Sequence, residues 1–174
     1  MNRLNLPWLM ACMFSFGSQE GGLEDWSTVD DRVMGGVSLS RVVAADACMR
    51  WEGMMSLESN GGFVSVRSPW ERGQLRQSKK VTMRVRGSQG TFALRLATSG
   101  VYYEPIHQVG FEVDEVEWKT LTWSLDAFET TVMGRSTGSK FDAGDAGDVG
   151  RIGLMKNDGN PGPFWLEVDF IRFE

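Results

Sequence analysis

Apolar and polar side chains take turns along several stretches of the chain, and that pattern sets the fold class. Val81, Met83 and Val85 fall on one side of an extended segment while Thr82, Arg84 and Arg86 fall on the other. The same period of two sets Phe92, Leu94 and Leu96 against Ala93, Arg95 and Ala97, and Leu121, Trp123 and Leu125 against Thr120, Thr122 and Ser124. Near the end, Phe164, Leu166, Val168 and Phe170 oppose Glu167 and Asp169. Weaker versions predict strands over 33–40, 49–57, 63–67, 102–113 and 151–155, with 14–16 as the first strand. No convincing window carries apolar residues at i, i+3, i+4 and i+7, so no amphipathic helix is predicted. Between the strands stand Ser59-Asn60-Gly61-Gly62, Arg86-Gly87-Ser88-Gln89-Gly90, Thr98-Ser99-Gly100 and the run from Asn157 to Pro163, all turn chemistries.

Strands with one apolar face must bury it on a second sheet, so the expected fold is all-β, a β-sandwich of about eight to ten strands with a jelly roll as first choice. Trp26, Trp51, Trp118 and Trp123 lie in or beside strand-like runs and are assigned to the interior. Trp70, Tyr102, Tyr103 and Trp165 sit near turns or strand ends, where an aromatic platform can face solvent.

The chain has 174 residues, enough for one domain, read as a tail over 1–13 and a single domain over 14–174. Its net charge of -5 has the wrong sign for nonspecific phosphate binding, so nucleic acid is not an expected partner. No stretch approaches the roughly 18 apolar residues of a membrane-spanning helix. A cytoplasmic protein is expected, with a peripheral position at the inner membrane as a variant of that reading. Residues 1–12 loosely resemble a lipoprotein leader, but Pro7 interrupts the apolar stretch and 14–16 reads better as a strand. Cys12 and Cys48 allow at most one disulfide, and with His107 as the lone histidine no zinc spacing exists. No cofactor is expected.

Candidate chemistry concentrates in two runs. From Trp26 to Ser40, adjacent Asp30 and Asp31 precede Met34, Gly35, Gly36 and Ser38. Acidic side chains here can bond turn backbone, or supply a polar or metal-coordinating corner at the sandwich rim. In the run from Asn60 to Ser68, Val64 and Val66 point inward, leaving Arg67 outward beside Arg95 on a polar sheet face. Such guanidinium groups need water, a carboxylate or a ligand. Asp142, Asp145 and Asp148 could gather calcium, although their spacing is not that of an EF-hand and a solvated acidic turn explains them. No G-x-S-x-G, H-E-x-x-H or phosphate-loop motif occurs, and Cys48 reads as a packed residue rather than the partner of His107. No catalytic residue is assigned.

The segment Val29-Asp30-Asp31-Arg32-Val33-Met34-Gly35-Gly36-Val37-Ser38 resembles the signature of the complex I intermediate-associated protein 30 family. Later segments agree in order: Asn60 to Ser68, Trp118-Lys119-Thr120-Leu121, Phe128 with Gly134-Arg135, Ile152 to Met155, and Gly162 to Val168. The resemblance implies a galactose-binding-like jelly roll. It also implies a noncatalytic assembly factor or chaperone-like protein for NADH:ubiquinone oxidoreductase, whose partner is a respiratory-complex subunit or assembly intermediate. Asp30, Asp31, Met34, Gly35, Gly36, Ser38, Asn60, Arg67, Arg95 and Arg135 are the expected partner- or ligand-binding residues. The alternative is a carbohydrate-binding module of jelly-roll type, with or without structural calcium.

Overall fold

Where the alternation is strongest, the chain forms the strands it predicts. The computed structural model describes residues 12–16, 23–114 and 116–174, excepting the side chain of Glu24, and among these thirteen strands make two antiparallel sheets. Residues 1–11, which carry the leader-like pattern and most of the expected tail, lie outside the described residues.

The first sheet runs in the order β3 (Leu39–Ala45), β4 (Cys48–Met55), β13 (Gly162–Phe173), β6 (Lys80–Gly87) and β9 (Lys119–Ser124). β1 (Cys12–Ser15) pairs with the second half of β13, continuing the edge that β4 occupies along the first half, so pairing begins two residues before the expected domain start. The second sheet is ordered β11 (Arg135–Lys140), β10 (Glu129–Val132), β8 (Ile106–Val113), β7 (Gly90–Ala97), β12 (Arg151–Lys156), β5 (Val64–Arg67) and β2 (Ser27–Thr28). The two pack as a jelly-roll sandwich around an aromatic centre, where Trp51 of the first sheet meets Phe164 at 5.0 Å and Phe92 of the second at 6.2 Å.

Several expectations change: thirteen strands stand where about eight to ten were expected, and the strand predicted over 102–113 begins only at Ile106. The strand predicted over 33–40 begins only at Leu39, because Asp31–Met34 is a single 3-10 turn closed by Gly35 in the left-handed region. The alternation of β13 breaks at a bulge between Val168 and Phe170, which moves the inward positions to Ile171 and Phe173 and turns Phe170 away from the core. The bulged Asp169 offers its carbonyl to the Phe16 amide, extending the attachment of the first strand. Trp118 is not interior; it lies on the outer surface, with the guanidinium groups of Arg84 and Arg86 each 4.7 Å from its ring.

Phe92 stacks on Phe111 and touches Trp51 and Phe164, so truncating it empties the centre of the sandwich. Phe92→Ala is expected to cost about 3–5 kcal/mol, read as a lower urea midpoint with unchanged slope.

Candidate functional site

The residues singled out from the sequence occupy three separate places. Asp30, Asp31, Met34, Gly35, Gly36, Ser38 and Asn60 share one corner, where β2 of the second sheet crosses to β3 of the first. Arg67 and Arg95 stand in the middle of the second sheet's outer face. Arg135 is on β11, the exposed edge strand farthest from β2.

The corner is organised by two buried carboxylates. Asp31 is 1% exposed and accepts hydrogen bonds from the Ser38 amide at 2.9 Å, the Ser38 hydroxyl at 2.5 Å, and the amides of Gly62 at 2.7 Å and Phe63 at 3.3 Å. Asp30 accepts from the amide and hydroxyl of Ser40 at 2.7 and 2.6 Å. The Ser38 hydroxyl also accepts from the Ser56 amide at 2.9 Å. Burial opposes ionisation of Asp31, but the Ser38 hydroxyl and the surrounding amides outweigh it and hold the carboxyl below its ordinary range. The glycines follow from the carboxylate: a Cβ on Gly36 would lie 2.3 Å from one Asp31 oxygen, and one on Gly61 2.6 Å from the other. The two acids therefore spend their oxygens on the chain's own donors, and the backbone crown they support, Arg32 to Gly35, is exposed. Asn60 is exposed beside it, at a left-handed φ of 60°.

On the second sheet, the register places Arg67 and Arg95 on either side of Gly153, with Arg151 one row away opposite Ala97. Gly153 comes so close to β5 that a Cβ there would meet the Val66 carbonyl at 2.8 Å. The three half-buried guanidinium groups line a groove of about 160 Å³ that is flanked by Trp70 and Tyr102. Arg151 was not among the expected site residues, although it shares the outward parity of Gly153 between the apolar Ile152 and Leu154. That parity was the available signal.

Residues 14–168 match the family model described as Complex I intermediate-associated protein 30 (CIA30). The chain belongs to that family. No match is found among curated proteins. Among solved structures, the CIA30 chain is similar to a family 11 carbohydrate-binding module from Clostridium thermocellum bound to a beta-1,3-1,4-mixed-linked tetrasaccharide, with 16% identity, 94% of each chain covered and a TM-score of 0.64. It is also similar to part of an agarase, at 10% identity and a TM-score of 0.62, covering 94% of this chain and 24% of that one. A cleaved adhesin domain of Lys-gingipain from Porphyromonas gingivalis aligns at 11% identity, covering 94% of this chain and 97% of that one, with a TM-score of 0.52. At these identities the likeness is one of fold.

The remaining candidates of this CIA30 domain sit apart. Cys48 is on the first sheet, its thiol 2.8 Å from the Ala45 carbonyl and pushed up to about 11 by burial and by the nearby Glu167. His107 is on the second sheet, bonded through Nδ1 to the Thr130 hydroxyl at 3.0 Å and packed on Phe141. They form no dyad. Asp142 caps the short 3-10 helix Ala143–Asp148 by accepting from the Gly144 amide at 2.7 Å, and no three His, Cys, Asp or Glu side chains among the described residues gather as a cation site.

Asp31→Ala strands several buried donors and is expected to cost about 3–5 kcal/mol at neutral pH. Because the folded carboxyl titrates below its ordinary value of 3.8, the stabilisation is present above that value and lost as pH falls through the lower folded one. Urea unfolding should therefore show the gap between native and variant closing from pH 7 towards strong acid; a gap independent of pH would show that the ionised carboxylate is not what holds the corner.

Proposed function

We propose that this chain is a noncatalytic binding domain that captures a subunit or assembly intermediate of a respiratory complex of the NADH:ubiquinone oxidoreductase type. The observation carrying this reading is the apolar crown on the buried corner. Met34 is 74% and Val33 69% exposed, on a turn whose backbone is fixed by Asp31. Val37, Leu39, Met54 and Leu57 are exposed as well; Leu39 pairs directly with Met54, and Ser38 is bonded to Ser56 between them. Exposed apolar side chains held on a rigid base suit protein capture, with Met34 as an adaptable contact. Family membership supplies the class of partner. A position peripheral to the inner membrane goes with such a partner.

A carbohydrate-binding role is the second reading, favoured by the groove on the opposite sheet with Trp70 and Tyr102 at its flanks. It uses a different surface, so the two readings separate by mutation.

Tagged chain purified from its own cells is expected to bring down subunits of the respiratory complex, identified by mass spectrometry. The double variant Met34→Asp with Leu39→Asp should reduce that recovery about tenfold, the loss that ~1.4 kcal/mol of contact produces, with an unchanged melting temperature. Recovery without those subunits, or recovery indifferent to the two substitutions, would remove this function.

A further inference from the structure

The outer faces of the two sheets treat arginine differently. On the first sheet, Arg41 meets Glu52 at 2.6 Å, Arg50 meets Glu52 at 2.7 Å and Glu167 at 2.8 Å, Arg86 meets Glu167 at 2.6 Å and Arg84 meets Asp169 at 2.5 Å. On the second sheet, Arg67, Arg95 and Arg151 form no ion pair with any described residue. Among the described residues Arg95 has only the Met155 thioether, 2.9 Å from Nη1 and a poor acceptor, and Arg151 only the face of Trp70 at 5.3 Å. The Nε atoms of Arg95 and Arg151 are buried without an acceptor.

Three cations converge here at a cost. Arg67 and Arg95 are two strand spacings apart, about 9.5 Å between Cα atoms, with only the hydrogen of Gly153 between them. Ala93 and Ala97 on the same face leave the floor low, so the three long side chains line one groove above it. Burial, then the charge of Arg67, pushes Arg95 down to about 10; burial, then Arg151, lowers Arg67. At about 10, Arg95 remains cationic at neutral pH.

We propose that this groove is a binding site for an oxyanion group, a carboxylate, sulfate or phosphate carried by a small ligand, held by the forked donors of Arg67, Arg95 and Arg151. An oxyanion supplies what the chain leaves out: two or more acceptor oxygens for planar guanidinium donors, and negative charge between three positive ones. The groove of about 160 Å³ has room for the charged group and for a ring attached to it. Tyr102, 79% exposed at the rim of the groove, offers an edge to that ring. The site is on the second sheet and does not depend on capture at the apolar crown.

The test is calorimetric titration of the whole chain with inorganic phosphate, sulfate, glucuronate, glucose 6-phosphate and neutral cellotetraose. Binding of at least one anion is expected, weakened about tenfold or more by Arg95→Met and by Arg151→Met and weakened by added salt. Glucuronate or glucose 6-phosphate binding more tightly than the inorganic ions would identify a saccharide as the carrier; inorganic ions binding equally well would identify the bare oxyanion as sufficient. The melting temperature of Arg95→Met should match or exceed that of the native chain, because an unpaired, partly buried charge is removed. No heat with any anion, binding unchanged in both variants, or cellotetraose bound as tightly as the anions would overturn the assignment, as would collapse of the Arg95→Met fold, which would make the arginine structural.

Discussion

The Asp31 carboxylate joins the two sheets at the corner where the chain crosses between them. Its donors come from both directions: Ser38 leads into β3 of the first sheet, and Gly62 and Phe63 lead into β5 of the second. The Asp31 amide itself is bonded to the Phe63 carbonyl at 3.1 Å. A buried ion is tolerated only when its lone pairs are filled, and here the filling consists of loop backbone that would otherwise have no partner in a sheet. Each side of the exchange therefore needs the other. The same requirement makes two glycines obligatory, since a methyl group at Gly36 or Gly61 would occupy the space of the carboxylate oxygens.

This constraint separates what the corner is made of from what it presents. The conspicuous acids face inward and support the turn, while Val33 and Met34, unremarkable in a list of chemical groups, face outward because a one-turn 3-10 helix has no sheet to lie on. A rigid polar base under an apolar crown lowers the entropy lost on docking, since the loop is already ordered. The outer faces of the sheets show a comparable division. Carboxylates on the first sheet neutralise its arginines in a chain from Arg41 through Glu52, Arg50 and Glu167 to Arg86, closing that face to charged ligands. The second sheet has no such chain at its centre, and small residues stand where acids would be needed.

How much of this was legible in the sequence depends on whether each feature is local. Strands such as β6 and β7 were plain, because one buried face imposes strict alternation and nothing interrupts it. β13 was legible only in part: alternation holds to Val168, and the change of parity to Ile171 and Phe173 was present in the sequence but needed the idea of a bulge to interpret. A turn at the two acids was legible, but its extent over Asp31–Met34 was not, because valine and methionine read as strand while part of what holds the turn comes from Gly62 and Phe63, some thirty positions away. Trp118 was misplaced for a different reason. Its ring is held by two arginines on β6, and its own run, Asp114 to Lys119, is charged as well; nearness to a strand was the wrong guide. The pairing of Arg67 with Arg95 on one face was visible from parity alone, but their alignment across Gly153 is a matter of register between three strands distant in sequence. The dispersal of the ten expected residues over three places has the same origin: parity assigns a face, not a position along it.

Register also links the corner to the groove. Gly62 and Phe63, held by Asp31, are the last residues before β5, and β5 is only four residues long. A strand so short has little pairing of its own to resist slippage, and a shift by one residue would send Arg67 into the core and Val66 into solvent. What forbids the shift is the anchoring at its two ends: the Asp31 carboxylate before Val64, and after Arg67 the Ser68 amide and hydroxyl bonded to Ile152 at 2.9 and 3.1 Å. Arg67 stands opposite Gly153 because both anchors hold. The surface that presents apolar side chains and the surface that presents guanidinium groups are thus different readouts of one buried anion, and the Val29 to Ser38 segment has to satisfy the demands of both.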